Sequence, residues 1–214
     1  MRRLLERFHL AVLPTLRRLF GLVVRAMYRV RASGLEHIPA DGPAIVVANH
    51  VSFVDALVIG GLCARPIRFV MDHRIHDARP TRWLFRIVRA IPIASAADDP
   101  LRLAIAMSTI ERALADGEVV GIFPEGRLTR DGAIDRFRPG VERILSTRPV
   151  PVIPMALRGL WGSMFSYARG KPFEARPRGF RAPVQLVAGP AIPPHLASAR
   201  ALEDEVRTLR GALA

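Results

Sequence analysis

Apolar positions along this chain of 214 residues follow two different spacings, and each spacing predicts one kind of element. In three stretches they recur every three or four residues, which is the period of an amphipathic helix. These stretches lie at 16–30, at 101–116 and in the C-terminal segment that bears Leu202, Val206, Leu209 and Leu213. Less regular apolar patterns predict shorter helices over 52–62, over 81–89 and after Gly140.

Short apolar runs between turn residues predict buried strands. These runs lie at 44–48, 67–71, 91–93, 119–123, 150–157 and 184–188. Because the predicted strands alternate with predicted helices, the pattern favours an α/β layered fold, with a mixed or mostly parallel sheet flanked by helices. A chain of this length suits one such domain with a well-filled core.

The N-terminal segment is set apart by its charge. Residues 1–31 contain eight arginines and one acidic residue, Glu6, within a chain whose formal net charge is +13. A basic amphipathic helix is typical of a segment that lies on an anionic membrane surface. The alternative is a helix that packs on the protein's own core and holds its arginines in solvent. The membrane interpretation divides the chain into a membrane-contact helix at 1–31 and an α/β domain at 32–214.

Composition narrows the remaining classes of function. The single cysteine, Cys63, excludes an internal disulfide and a Cys-rich metal site, and a buried thiol is the expected state. Arginines interrupt the apolar runs near the N-terminus, so no transmembrane helix is expected. Nucleic acid is not the expected anionic partner, because aromatic residues make up only 7% and no basic helix-turn-helix pattern is present.

The first candidate for chemistry is the segment that follows the predicted strand 44–48. His50 comes directly after this strand, and Asp55 lies five residues further along. Ligands of α/β sheets usually sit at the carboxyl ends of strands, and an imidazole oriented by a carboxylate can act as a general base. The alternative is structural: Ser52-x-x-Asp55 also fits a capping box, which would leave His50 as an exposed loop residue. No nucleophile elbow surrounds Ser52.

The second candidate follows the predicted strand 119–123 and reads Phe-Pro-Glu-Gly-Arg at 123–127. An arginine at a strand end suits bidentate contact with a phosphate, and Glu125 could hold that arginine or bond a substrate hydroxyl. The alternative is a surface turn with a solvated Glu–Arg pair. Arg130, Arg136 and Arg138 follow closely and enlarge the positive field.

Together and in this order, about 70 residues apart, the two motifs resemble those of the glycerolipid acyltransferase superfamily, whose best-known member is 1-acylglycerol-3-phosphate acyltransferase. The first family block, Asn-His-x-x-x-x-Asp, is matched by Asn49, His50 and Asp55, and the third by residues 123–127. The fourth block, a hydrophobic strand with a central proline, is matched around Pro154. The second block is matched in part around Pro92, with Ala90 where glycine is frequent.

The resemblance implies an O-acyltransferase with His50 as general base and Asp55 as its orienting partner. Glu125, Gly126 and Arg127 would bind the acceptor's glycerol phosphate, with Arg127 on the phosphate. Asn49, Pro92 and Pro154 are further candidates for contacts with the acceptor or the donor.

The same resemblance implies acyl-CoA or acyl-carrier protein as the donor, and no cofactor, metal or covalent acyl-enzyme. With the basic helix, it predicts a peripheral or monotopic protein on the cytoplasmic face of the membrane. Two alternatives stay open: an acyltransferase for another lipid acceptor, such as lyso-ornithine lipid, and a non-catalytic basic membrane-binding relative.

Overall fold

A computed structural model describes the backbone of residues 2–168, 170, 172 and 181–211, and the side chains of this set from residue 14 onward. Over these residues the chain forms one sheet of seven strands. The strands are β1 (Tyr28–Ser33), β2 (Ala44–Ala48), β3 (Ile67–Asp72), β4 (Ile91–Ile93), β5 (Val119–Ile122), β6 (Val152–Arg158) and β7 (Ala182–Ala188).

The strands lie in the order β1-β7-β6-β2-β5-β3-β4. Neighbouring strands run parallel except β6 and β7, which are antiparallel. The prediction of a mixed, mostly parallel sheet is therefore confirmed. Strand β2 lies in the middle and all five of its residues are buried, as expected of a strand that is covered on both faces.

Helices cover both faces of the sheet. They are α1 (Arg2–Met27), α2 (Asp55–Leu62), α3 (His73–His76), α4 (Arg82–Ile87), α5 (Pro100–Ala115), α6 (Gly140–Thr147) and α7 (Ala199–Arg210). Because side chains alternate along a strand, Val46 and Ala48 of β2 join a core with α1 and α2. Ile45 and Val47 join a second core with α5, α6 and α7.

The N-terminal helix differs from its prediction at both ends. Helix α1 begins at Arg2 and runs through Pro14, whereas the predicted helix began at residue 16. It ends at Met27, and Tyr28–Ser33 forms β1 where a helix was predicted to residue 30. The reason is pairing: β1 adds to the sheet edge in parallel with β7, which satisfies its backbone groups. The predicted domain boundary at residue 31 thus falls inside a strand.

Helix α1 has one buried side and one exposed side. It crosses α2 so closely that a side chain on Gly21 would place its Cβ 2.7 Å from the carbonyl oxygen of Gly61. Val24 is buried in the core, whereas Leu19, Leu22 and Val23 are exposed. The helix therefore packs on the core, and its exposed side offers apolar side chains to its surroundings, while contact with a membrane stays a prediction. Among the helices of the described chain, none combines the length and hydropathy that crossing a bilayer requires.

The remaining predicted elements are observed with shifts of a few residues at their ends. The largest of these shifts is at α2, which begins at Asp55 because residues 51–54 form a turn. The short helix α3 was not predicted, and Leu213 of the predicted C-terminal helix lies outside the described residues.

Candidate active site

His50 lies where β2 ends, at the carboxyl edge of the parallel strands. Its ring is partly exposed, with 22% of the side-chain surface accessible. The ring stacks on Phe123, which follows β5, with centroids 4.1 Å apart and planes inclined by 11°. Phe123 in turn stacks on Phe69 of β3 at 5.8 Å. Strands β5 and β3, which follow β2 in the sheet order, thus position two stacked aromatic rings that limit the orientations of the imidazole.

Asp55 holds the other side of the imidazole. The Nδ1 atom of His50 lies 2.9 Å from Oδ2 of Asp55. The same oxygen accepts the backbone N–H groups of Val51 at 2.7 Å and Ser52 at 2.9 Å. The capping box is not formed, because α2 begins at Asp55 itself and its N-cap, Val54, makes no side-chain bond. The Asp55 carboxylate instead closes the turn before α2 and orients the imidazole. With Nδ1 donating to the carboxylate, Nε2 is left as the proton acceptor.

The Asp55 carboxyl is completely buried. Burial raises its pKa, and the hydrogen bonds from His50, Ser52 and Val51 oppose that rise by favouring the charged form. Its second oxygen, Oδ1, has no hydrogen-bond partner among the described residues. A buried carboxylate with one unsatisfied oxygen gains from a positive charge beside it, and the protonated imidazole would provide that charge.

Glu125 supports His50 through the backbone. One carboxylate oxygen accepts the N–H of His50 at 2.7 Å, and the other accepts the N–H of Asp135 at 2.9 Å. The N–H of Thr129, in the same loop, donates to the carbonyl oxygen of His50 at 3.0 Å. The loop at 123–129 therefore forms hydrogen bonds with both polar backbone groups of His50.

The Glu125 side chain is only 2% exposed. Burial raises its pKa to about 7, while the hydrogen bonds from Asp135 and His50 act in the opposite direction. Its two oxygens are occupied by backbone amides, so the carboxylate acts on the site by positioning His50. A direct bond to the acceptor, which the family resemblance implied, would have to use the remaining lone pairs of these two oxygens.

Gly126 and Arg127 form the exposed part of the same loop. Gly126 has a φ of 70°, and a Cβ there would lie 3.0 Å from Nε of Arg138, so the turn needs glycine for both reasons. Arg127 is 65% exposed, and its Nε donates to Oδ2 of Asp135 at 2.9 Å. Asp135 raises the pKa of Arg127, so the guanidinium stays charged and available to an anion.

The three further candidates occupy different places. Asn49 is fully buried and pairs with the backbone of Leu157 in β6, accepting its N–H at 2.8 Å and donating to its carbonyl oxygen at 3.1 Å. Pro154 is buried in β6 on the face opposite Ile153, where it lies near Gly189. Pro92 lies in β4, in register with Met71 of β3. The structure therefore brings neither Asn49 nor Pro154 to the surface beside His50.

Two contributors to the site were missed by the sequence analysis. The stacking role of Phe123 could have been suspected, because an aromatic residue at the end of β5 lies beside the end of β2 in a parallel sheet. No sequence pattern around Asp135 predicts its role. The folding of the loop between residues 127 and 135 brings it into contact with Glu125 and Arg127. Over the residues that the structure describes, no group of three or more His, Cys, Asp and Glu side chains is arranged to hold a metal ion.

Comparison with known proteins places these features in a family. The Acyltransferase family matches residues 29–158. The chain is 28% identical over 140 residues to a chloroplastic 1-acyl-sn-glycerol-3-phosphate acyltransferase of Arabidopsis thaliana, which covers 65% of this chain and 38% of that protein. It is 26% identical over 166 residues to a probable 1-acyl-sn-glycerol-3-phosphate acyltransferase of Mycoplasma pneumoniae, covering 74% of this chain and 60% of that protein.

The fold is also shared with a solved structure. The 1-acyl-sn-glycerophosphate acyltransferase PlsC of Thermotoga maritima superposes with a TM-score of 0.69 at 25% identity, over 95% of this chain and 78% of that one. The chain spans about two fifths of the length of the first curated relatives it matches. The family match extends over more than half of the chain and includes both motifs, and the chain therefore belongs to the Acyltransferase family, within the glycerolipid acyltransferase superfamily.

Proposed function

We propose that this protein is an O-acyltransferase that moves an acyl group from a thioester, acyl-CoA or acyl-carrier protein, to the hydroxyl of a lysophospholipid such as 1-acylglycerol-3-phosphate. The observation that carries this proposal is the 2.9 Å contact between Nδ1 of His50 and the buried carboxylate of Asp55. Such a pair lacks a protein nucleophile, and it is suited to activating a hydroxyl of the substrate itself.

In the proposed reaction, Nε2 of His50 takes the proton of the acceptor hydroxyl. The oxygen of that hydroxyl attacks the thioester carbonyl at the same time. A tetrahedral oxyanion forms, the C–S bond breaks, and the thiolate leaves with the proton that the imidazolium returns. Asp55 stabilises the imidazolium between these two steps, because it lies on the ring nitrogen that does not exchange the proton. The products are the acylated lipid and a free thiol, and no covalent acyl-enzyme is formed.

Arg127 is the residue to which we assign the acceptor's phosphate. It is exposed and charged, and it belongs to the loop that is hydrogen-bonded to the backbone of His50. Guanidinium groups bind phosphate through paired hydrogen bonds, so this arginine would hold the acceptor beside the base. The chloroplastic relative of Arabidopsis thaliana and the Mycoplasma protein are named as acting on 1-acyl-sn-glycerol-3-phosphate, which agrees with a phosphate-bearing acceptor.

We assign the protein to the cytoplasmic face of the membrane, as a peripheral or monotopic protein. The exposed apolar residues Leu19, Leu22 and Val23 lie on α1, among the arginines of the N-terminal segment. Arginines attract anionic headgroups, and apolar side chains enter the boundary between headgroups and acyl chains. This position would bring the site to an acceptor that stays in the bilayer.

The test is acyl transfer from labelled palmitoyl-CoA, and from palmitoyl-carrier protein, to a panel of lysophospholipids in mixed micelles. His50→Ala should abolish transfer without unfolding the protein, since the ring is partly exposed and lies outside the core. His195→Ala is the matched control, because this histidine is exposed and distant in sequence from both motifs. Retained activity in His50→Ala would refute the mechanism. Vesicle binding without transfer from either donor to any acceptor, lyso-ornithine lipid included, would favour a non-catalytic relative.

A further inference from the structure

An open cavity on the connection between β3 and β4 is not used by the proposed mechanism. It has a volume of about 560 Å³ and is lined by Arg79, Arg82, Trp83, Arg86 and Ile87. Trp83 is 62% exposed, and its indole N–H donates to the carbonyl oxygen of Pro80 at 3.1 Å, which fixes the position of the ring. An exposed tryptophan held in place in this way is available to a ligand.

The arginines of this cavity differ from their neighbours in having no acidic partner. The guanidinium groups of Arg79, Arg82 and Arg86 form no ion pair with any residue that the structure describes. Nearby arginines are neutralised: Arg89 pairs with Glu118, and Arg102 with Asp77. Three uncompensated positive charges around one aromatic ring repel one another, and an anionic ligand would relieve this repulsion.

We propose that this cavity binds the phosphorylated nucleotide end of coenzyme A. The inference rests on the proposed function, since it assigns a binding site to the acyl donor of that reaction. Coenzyme A carries three phosphate groups and an adenine, and the cavity offers three arginines and an indole. Arginine binds phosphate through paired hydrogen bonds, and bases stack on aromatic side chains. The volume lies within the range of small-molecule sites.

The place of the cavity in the strand order can be compared with the length of the donor. Helices α3 and α4 connect β3 to β4, and β4 is three strands away from β2 in the sheet. At ~4.8 Å per strand this separation is about 14 Å. The pantetheine arm of coenzyme A is an extended chain comparable to four or five residues, and it reaches roughly 15 Å. Across the sheet, the donor is therefore long enough to extend from the strand beside this cavity to the strand that ends at His50.

The probe for this site is adenosine 3′,5′-bisphosphate, which has the adenine and two phosphates but no acyl chain. Binding to the wild-type protein is measured by calorimetry at about 150 mM salt, where non-specific attraction between exposed charges is screened. The double variant Arg82→Gln/Arg86→Gln should bind the probe at least tenfold more weakly, and Trp83→Leu should also weaken it. Arg200→Gln is the control, because Arg200 is 93% exposed and lies on α7, outside the cavity.

Kinetics give a second readout that does not depend on the probe. The KM for palmitoyl-CoA should rise about tenfold in Arg82→Gln/Arg86→Gln with kcat unchanged, because the nucleotide end does not take part in the chemistry. The KM for palmitoyl-carrier protein and for the lipid acceptor should not change. A double variant with the wild-type KM for palmitoyl-CoA would overturn the inference.

The remaining outcomes separate this inference from the proposed function. A protein that transfers acyl groups from the carrier protein but does not bind the bisphosphate overturns the inference and leaves the function intact. Binding of the bisphosphate without transfer from any donor supports the site and refutes the function. If the double variant instead loses binding to phosphatidylglycerol vesicles, and the bisphosphate does not bind, the surface is a lipid contact and the inference is wrong.

Discussion

Replacing Glu125 by glutamine should separate the stability of the fold from the activity of the site. The wild-type carboxylate accepts two backbone N–H groups, one from His50 and one from Asp135. Glutamine has nearly the same shape but only one acceptor oxygen, so its amide group must face one of these donors. The variant therefore keeps the packing of the loop and loosens either the base or the segment that carries Asp135.

The magnitude follows from the pKa of the carboxyl. Burial raises the pKa of Glu125 from 4.5 to about 7. Between these two pH values the unfolded carboxyl is ionised while the folded one is still protonated, so the stability that Glu125 contributes below pH 4.5 is lost as the pH rises to 7. One pKa unit corresponds to about 1.4 kcal/mol, so the loss amounts to roughly 3 kcal/mol. Glu125→Gln has no such ionisation and should not show this loss.

The assay is urea unfolding of the wild type and Glu125→Gln at several pH values between 4 and 8. The difference between their free energies of unfolding cancels the titration of groups that both proteins share. We expect the wild type to lose roughly 3 kcal/mol relative to the variant across this range. Acyl transfer by the variant should nevertheless fall at least tenfold at pH 8, because His50 or Asp135 is less firmly held.

Glu36→Gln serves as the control, since it makes the same change of carboxyl to amide at an exposed position. A flat curve for Glu125→Gln would show that burial does not raise the pKa of this carboxyl. Full activity of Glu125→Gln at pH 8 would show that the two hydrogen bonds do not position the base. Either result would refute the corresponding half of the reasoning.

Three further substitutions test the fold and the membrane surface. Asn49→Ala removes the partner of both backbone groups of Leu157 and should lower the free energy of unfolding by about 2 kcal/mol or more. Urea unfolding measures this loss, and a change within error would show that water replaces the amide. Gly61→Ala would place a Cβ 3.0 Å from the backbone nitrogen of Gly21 and should lower the stability by about 1–3 kcal/mol, unless α1 can move away from α2. Leu22→Asp should reduce sedimentation with anionic vesicles and leave the Tm unchanged, because this side chain is 66% exposed; unchanged sedimentation would assign the exposed face of α1 another role.

The central strands and the His50–Asp55 contact could be predicted from the sequence because both depend on local patterns. The run at 44–48 is apolar throughout, as expected of a strand that is covered on both faces. Asp55 lies five positions after His50, and the turn that precedes α2 brings them together. In such cases neighbouring residues determine the structure, and the sequence pattern is sufficient.

Strand β1 could not be predicted in the same way. Tyr28 and Val30 alternate with arginines, and this spacing is compatible with the last turn of a helix as well as with a strand. The choice is made by β7, which is more than 150 residues away and offers a free parallel edge. Pairing between distant segments overrides local preference, so the boundary at residue 31 was placed inside a strand.

The contacts of Glu125 and Asn49 also could not be predicted from the sequence. Both are polar residues in family blocks, and polar residues near a site are usually assigned to the substrate. In the structure each is buried and bound to backbone groups, of His50 and Asp135 in one case and of Leu157 in the other. Only the folded chain reveals that their partners are amides of the protein.

In the proposed mechanism, the two buried carboxyls favour a charge that exists only during the reaction. Asp55 bonds the ring of His50 and Glu125 accepts its backbone N–H, and burial raises the pKa of both carboxyls. When His50 takes the proton of the acceptor in that mechanism, the imidazolium supplies a positive charge beside the buried carboxylate of Asp55. Burial of the two carboxyls thus makes their charged forms less stable in the resting site. In the proposed mechanism, the imidazolium that forms when the hydroxyl is activated stabilises these charges.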